Sequence, residues 1–474
     1  MEQYEKLRRE YPHFYYRGYE AEWEEGALNI TYTFEIEGLP VFTPHWTFPL
    51  PQGRLEEIKG RVTEEMLFSL GMVELISYWK IACPPQVYIE KGKLDSEQIR
   101  WWKHLYFNGL GEFFYVNGIE EVREEDFMEI HCQDFRTGKE PSSEEASSAS
   151  ALEQEGKRSL SKGFLVPIGG GKDSAVTLDL LMDGGYPVYG YIINPRGASL
   201  NTAERAGLSD EKVMKVKRTL DQRMLELNRL GYLNGHTPFS ALVAFSSLIG
   251  AAILGLDYVA LSNESSANES TVPGSSVNHQ YSKSFEFEKD FRQYAETYMP
   301  GSAFYFSLLR PLSEFQIAWI FSGLKQYHDI FRSCNSGSKT DSWCGRCPKC
   351  LFVCLILSPF LEQEEIENIF GRSMLEDLSL RETFDKLVGI AREKPFECVG
   401  SRDEVREVVR LTIEKFGRER KPLPALLEYY RNSGVFQEES RRGESPYFTF
   451  YDEENLLPEK LDELVRQRIR RERQ

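Results

Sequence analysis

The stretch FLVPIGGGKDSAVTL, Phe164 to Leu178, sets three glycines and Lys-Asp-Ser between an apolar run and a helical pattern. Glycines at 169, 170 and 171 let backbone N–H groups come close to an anion, because no Cβ stands in the way. A helix starting near Lys172 adds unpaired N–H donors and the positive end of its dipole. Lys172 places a cation at the same point. The arrangement fits a phosphate cradle, or else a glycine-rich turn without a ligand, and as a cradle it is of neither common type. The Walker loop G-x-x-x-x-G-K-[ST] fails because Asp173 follows Lys172, and G-x-G-x-x-G fails for want of its third glycine.

A second constellation lies in SCNSGSKTDSWCGRCPKCLFVC, where Cys334, Cys344, Cys347 and Cys350 are spaced C-x9-C-x2-C-x2-C. Short C-x2-C knuckles turn two thiolates towards one ion, and a more distant cysteine completes a tetrahedral zinc site. Gly345 and Pro348 suit the turns between ligands. Four thiolates leave no open coordination position, so the expected zinc is structural. Cys344, Cys347, Cys350 and Cys354 also spell the iron–sulfur spacing C-x2-C-x2-C-x3-C. That rival lacks the following proline, and Cys354 stands in the apolar run LFVCLIL, where a cysteine packs as a small core residue.

These residues need a scaffold. GFLVPI reads as a strand, KDSAVTLDLLMDGG as a helix ending at Gly184-Gly185, and YPVYGYII as a second strand; helix and strand pairs continue to about Leu309. Such alternation predicts an α/β domain over 164–330, a parallel sheet flanked by helices. Ligands of open α/β sheets sit outside the carboxyl ends of the strands. Polar stretches expected there are INPRGASLNTAERAGL with Asn194, NGHTPFSALVAF with His236, LSNESSANEST with Asn263 and Glu264, VNHQYSKSFEFE with His279 and Lys283, and SLLRPLSEFQIA with Arg310.

Residues 1–136 form an N-terminal α+β domain on this reading, with strands near Ile30 to Ile36, a helix over Glu64 to Ala82 and another from Ser96 towards Gly109. The Ser/Glu/Ala/Lys-rich segment 137–163 has almost nothing to bury and reads as a linker. The cysteines occupy a segment at 331–360, and 361–474 reads as mostly helical. The basic tail from Arg466 is expected to be a solvated helix end. Among 474 residues the net charge is −17, which disfavours a nucleic-acid footprint. The apolar run Ser240 to Leu256 is short for a membrane span and reads as a buried helix feeding the strand in DYVALSNE. Without an export signal in Met1 to Glu10, the eight cysteines are expected to be thiols or metal ligands in a cytoplasmic protein.

The loop resembles the S-G-G-x-D-S pyrophosphatase loop of the adenine-nucleotide α-hydrolase (PP-loop, HUP-like) superfamily: Gly170, Gly171, Asp173 and Ser174 match, and Gly169 replaces the first serine. The resemblance implies ATP cleaved between the α and β phosphates, with Gly170, Gly171 and Ser174 on the pyrophosphate and Asp173 placing Mg2+. The cysteine pattern is similar to the zinc site of relatives of 7-cyano-7-deazaguanine synthase. With LISYWKIACPP, GLGEFFYVNGI and KPFECVG, the polar stretches resemble a narrower family over about Leu75 to Gly400. That family is the ATP-dependent UDP-N-acetylmuramoyl-L-alanyl-L-glutamate epimerases of peptidoglycan precursor synthesis. It implies a UDP-MurNAc-dipeptide substrate whose glutamyl carboxylate is adenylated, whose α-proton is exchanged, and whose AMP is then released by water. The acid/base candidates are His279 with Lys283 four residues on, Cys398 outside the zinc set, His236 and Glu264. Asn194 is expected at the nucleotide, Asn263 and His236 at the substrate, and Arg310 as a clamp on a carboxylate or phosphate.

Two other functions remain open on the sequence. One is another PP-loop adenylating enzyme, amidating or thiolating; the other is a nucleotide-sensing binding protein that kept the loop without the chemistry.

Overall fold

The structure, a computed structural model, describes residues 1–120, 122–135, 160–268, 280–337, 340–395, 397, 399–439 and 443–473. Its strands are β1 (His13–Glu24), β2 (Ala27–Ile36), β3 (His45–Pro49), β4 (Gln86–Leu94), β5 (Glu129–Phe135), β6 (Phe164–Pro167), β7 (Val188–Ile193), β8 (Val213–Thr219), β9 (Tyr258–Leu261) and β10 (Phe304–Ser307). They join into one ten-stranded sheet in the order β10-β9-β6-β7-β8-β3-β2-β1-β4-β5. From β10 to β8 all neighbours are parallel. Every residue of β9 and β10 is buried, as in a strand covered on both faces.

Side chains alternate across a strand, and here the alternation divides two cores. Leu165 and Val259 face a core shared with the helices Glu64–Trp79 and Phe239–Leu254. Phe164, Val166, Tyr258 and Ala260 face the other, which holds Lys172–Asp183, Glu314–Gly323 and Pro348–Leu357. The helix Phe239–Leu254 ends where Gly255 takes φ +73, and it feeds β9 as the sequence predicts. No helix among the described residues is long and apolar enough to cross a membrane.

The N-terminal strands are attached edge to edge. β3 pairs antiparallel with β8, Trp46 opposite Arg218. The reversal brings the start of β3 to the sheet edge that carries the ends of β6 to β10. The seam is polar and closed: the Glu74 carboxylate, fully buried, accepts from Trp46 Nε1 at 3.1 Å and from Arg218 Nε and Nη2 at 2.9 and 2.7 Å. Asp221 accepts from the Thr43 amide at 2.7 Å and from the Arg223 amide at 2.9 Å.

One local expectation holds and one changes. The helix Ser96–Gly109 is capped by Asp95, whose carboxylate accepts from Gln98 N while the Gln98 side chain returns to the Asp95 amide. The basic tail is docked: in the helix Glu459–Glu472, Leu461, Val465 and Ile469 are buried, and Arg468 and Arg471 pair with Asp179 and Asp183 at 2.9 and 2.8 Å. An apolar stripe at four-residue spacing drives that docking, and the charge run rides on it. Most of the 137–163 linker lies outside the described residues; its last part forms a short turn, Leu160–Lys162.

Candidate functional site

The glycine loop begins where β6 ends, with Ile168 N–H on Tyr191 O at 2.9 Å. Gly170 takes φ +88, and a Cβ there would lie 2.7 Å from Ala198 Cβ and 2.8 Å from Ser199 N. Its carbonyl accepts from Arg332 N at 2.8 Å. Gly171 caps the helix Lys172–Asp183 and would meet Ser333 Oγ at 2.8 Å if it carried a Cβ. Gly169 has open space on its Cβ side. The loop is therefore squeezed between the helix Gly197–Arg205 and Arg332–Ser333, and open at one residue. Exchanging Gly169 for Ser should change the stability read by thermal melting by no more than about 0.5 kcal/mol, the range of surface changes. Gly170→Ala should cost about 2–4 kcal/mol, from left-handed strain plus overpacking, in the same melting experiment.

A cluster of charge stands behind the loop. Lys172 Nζ bonds to the carboxylates of Asp173 and Glu314, and both Lys172 and Glu314 are buried. Burial pushes the Lys172 pKa down, but the Asp173 and Glu314 charges outweigh it and hold the ammonium above the usual lysine range. For Asp173, burial works against ionisation, yet Lys172 and then Lys349 keep its carboxyl below the usual range. Burial raises the pKa of Glu264 against the pull of Lys283, and that of Glu314 against Lys172. Three carboxylates and three lysines from distant parts of the chain thus share one cluster of charge, in which Lys172, Glu264, Glu314 and Lys349 are buried. It can take up a metal ion and a polyanion by exchanging internal ion pairs for external ones.

Glu264 and Lys283 are held from below. Arg310, fully buried, donates to Glu264 O at 2.7 Å and to Lys283 O at 2.6 Å, and pairs with Glu288 Oε2 at 2.9 Å. Ser307 N–H donates to the other Glu288 oxygen at 2.9 Å. The guanidinium expected to clamp a ligand is thus placed as a support beneath two candidate residues. Asn263, buried, donates to Ser307 Oγ at 3.0 Å. Asn194 takes φ +50 and exchanges side-chain bonds with the Arg218 backbone at 2.8 and 2.9 Å, tying β7 to β8. His236 stands with Nδ1 3.7 Å from Glu112. Beside it Lys80 donates to Gly235 O, its pKa pushed down to about 8 by burial and then by Arg218. His279 and Cys398 lie outside the described residues, and Lys283 closes a single 3-10 turn, Tyr281–Lys283.

The four cysteine sulfurs converge within 4.8 Å of one another. Cys334–Cys347, Cys344–Cys350 and Cys347–Cys350 are 3.8, 3.7 and 3.5 Å apart. A tetrahedron with Zn–S of about 2.3 Å has edges of about 3.8 Å, so the donor set fits zinc. Amides of Gly337, Cys344 and Cys347 point at the sulfurs, as expected around thiolates. Cys354 is not in this group; it is buried in the helix Pro348–Leu357, and burial pushes its thiol up to about 12.

Sequence reasoning missed Glu314, Lys349 and Asp341. Asp341 accepts from Ala198 N at 2.9 Å, so the cysteine segment also touches the helix that confines Gly170. Glu314 stood inside a polar stretch already singled out, but nothing local marks it as the partner of Lys172.

Two family models cover most of the chain: the MurL N-terminal domain matches residues 5–308 and the MurL C-terminal domain residues 330–434. The chain belongs to the MurL family. Three relatives are named UDP-N-acetyl-alpha-D-muramoyl-L-alanyl-L-glutamate epimerase. That of Xanthomonas oryzae is 36% identical over 81% of this chain and 82% of its own length. Those of Salinispora tropica and a Micromonospora strain are 32% and 31% identical, over 82% and 80% of both chains. No solved structure matches. This MurL-family chain is accordingly an enzyme of the isomerase class. Its glycine loop lies in the first MurL domain and its cysteines in the second. The contacts of Gly170 with Arg332 and of Ala198 with Asp341 join the two.

Proposed function

We propose that the protein inverts the terminal L-Glu of UDP-MurNAc-L-Ala-L-Glu to D-Glu, spending ATP to acidify the α-carbon, in the cytoplasmic assembly of peptidoglycan precursors. The observation that carries the ATP half is the glycine loop, open at Gly169 and backed by Lys172, Asp173 and the lysine–carboxylate cluster. The substrate half rests on the names of the relatives.

A free carboxylate next to the α-carbon opposes formation of a carbanion. Attack of a carboxylate oxygen on the α-phosphorus of ATP, with the bond to pyrophosphate breaking, turns it into a mixed anhydride whose acyl group is uncharged and whose enolate spreads the charge. Amides at Gly170 and Gly171 and the Ser174 hydroxyl receive the pyrophosphate, as in the PP-loop superfamily. Lys172 meets its charge by loosening from Asp173 or Glu314. Mg2+, held by Asp173, would screen the phosphate oxygens against the attacking carboxylate. A buried Glu264, its pKa raised by burial, is the first candidate for proton transfer, with Lys283 stabilising its ionised form. His279, Cys398 and His236 remain candidates for the opposite face, and Asn194, Asn263 and Arg310 for orienting roles. Water then cleaves the adenylate to AMP and the product. The four cysteines hold a structural zinc.

The experiment supplies the L-Ala-L-Glu nucleotide with ATP and Mg2+, then follows pyrophosphate and the chirality of the glutamate recovered after hydrolysis. The expected result is substrate-dependent pyrophosphate and AMP with D-glutamate appearing. Glutamate that stays all-L overturns epimerisation; inversion without pyrophosphate overturns the ATP mechanism.

A further inference from the structure

Asp341 is a carboxylate that neither the thiolate cluster nor the glycine loop accounts for. It stands between Cys334 and Cys344 with φ at +52, a left-handed backbone that costs any residue other than glycine. Its Oδ1 accepts from the Ala198 N–H at 2.9 Å, so the cysteine segment caps the helix Gly197–Arg205 from outside. The approach is so close that a Cβ on Gly197 would collide with Asp341 Oδ2. The capped residue, Ala198, is also the one that a Cβ on Gly170 would meet at 2.7 Å.

On its other side Asp341 is tied to the sulfurs. Gly337 N–H points at Cys334 Sγ at 3.1 Å. Gly337 O accepts from Thr340 N and Ser342 N, each at 3.1 Å, which are the amides on either side of Asp341. Arg332 joins the two ends: its backbone N–H donates to Gly170 O at 2.8 Å and its Nε to Asp341 O at 3.3 Å. Contacts thus run without a gap from Cys334 through Gly337, Asp341 and Ala198 to Gly170.

We propose that Asp341 is a positioning residue for the phosphate site: it holds the helix Gly197–Arg205 against Gly170, and the loaded cysteine site keeps it in place to do so. Nucleotide affinity and metal affinity are then coupled through this one carboxylate. The proposal rests on the ATP reading above and adds what keeps the loop in shape. Glycine loses more backbone freedom on ordering than any other residue, so three in a row aim their N–H groups at a phosphate only when neighbours fix them. A neutral cap would fix the helix as a charged one does, which separates positioning from a charge that meets the ligand.

The test uses the full, zinc-loaded protein with Asp341→Ala and Asp341→Asn beside the wild type. Binding of inorganic pyrophosphate and of α,β-methylene-ATP in excess Mg2+ is measured by calorimetry, with zinc content recorded for each protein. Loss of the cap predicts about 5–30-fold weaker binding of both probes in Asp341→Ala. In Asp341→Asn, whose amide oxygen still accepts from Ala198, binding stays within about threefold of wild type. Zinc is then competed against a chromogenic chelator with and without α,β-methylene-ATP. Because coupling is reciprocal, the nucleotide should tighten zinc in the wild type and in Asp341→Asn, and not in Asp341→Ala. Wild-type affinity in Asp341→Ala overturns the proposal, and so does equal tightening of zinc in Asp341→Ala and the wild type. Equal weakening in both variants also overturns it, since that marks a charge touching Mg2+ or the ligand. Should Asp341→Ala fail to fold or to hold zinc, Gly197→Ala carries the test. Its Cβ displaces the Asp341 carboxylate and is expected to weaken both probes to the same extent; unchanged affinity there overturns the proposal. Failure of the wild-type protein to bind either probe instead overturns the ATP reading.

Discussion

Asp173→Asn is expected to leave the fold and the zinc content intact and to lower ATP-dependent pyrophosphate release by more than a hundredfold. Residues that merely support a metal ligand cost about 10–100-fold when changed, and a direct ligand costs more. Asp173 is the carboxylate on Lys172 that faces outward: its side chain is 30% exposed, against 2% for Glu314. Asparagine keeps its shape and can still accept from Lys172, while Glu314 continues to neutralise the buried ammonium. The change therefore removes one negative charge where Mg2+ is proposed to sit and leaves the packing alone. A stability measurement separates the two effects. The folded-state pKa of Asp173 is depressed by Lys172 and Lys349 in spite of burial. Its stabilising contribution is then full above the unfolded value of about 4 and lost as pH falls below it. Wild type and variant should differ most near neutrality and converge in acid. Pyrophosphate release within tenfold of wild type would remove Asp173 from the proposed magnesium site.

Arg310→Met should destabilise the protein by about 3–5 kcal/mol, the usual cost of removing one partner of a buried ion pair. Glu288 would be left ionised or forced to protonate with only 1% of its side chain exposed. Two carbonyls, of Glu264 and Lys283, would lose their donor at the same time. Urea denaturation followed by near-ultraviolet circular dichroism reads the loss as a lower midpoint. The double variant Arg310→Met/Glu288→Leu should recover part of it, because an apolar pair of similar volume often replaces a buried ion pair without cost. Turnover should not recover with stability in the double variant, since the supports of Glu264 and Lys283 stay absent. An unchanged midpoint in Arg310→Met would show that the buried pair adds nothing.

The chain's chemistry was unevenly readable. The conformation of Gly169 to Ser174 was legible because a strand, a glycine turn and a helix N-terminus are encoded within a dozen residues. Cys334, Cys344, Cys347 and Cys350 were legible because ligand spacing constrains short loops directly, and Cys354 could be set aside from its apolar neighbours alone. The tail from Arg466 misled, since its charges are conspicuous and the buried stripe of Leu461, Val465 and Ile469 is not. Arg310 misled for a related reason: an arginine in a polar stretch looks like a ligand clamp until Glu288 is seen to enclose it.

By itself the sequence determined the local conformations, the strand–helix alternation, the metal-ligand spacing and the resemblance to the epimerase family. Only the tertiary structure decided that β3 of the N-terminal part pairs with β8, so that ten strands form one sheet. It also decided that Lys172 meets Glu314 across 142 positions. The physical reason is range. Periodicity, glycine turns and C-x2-C spacing act over a few residues, where backbone geometry alone dictates the outcome. Which buried charge finds which partner depends on how separate elements pack, and burial makes that choice costly to get wrong.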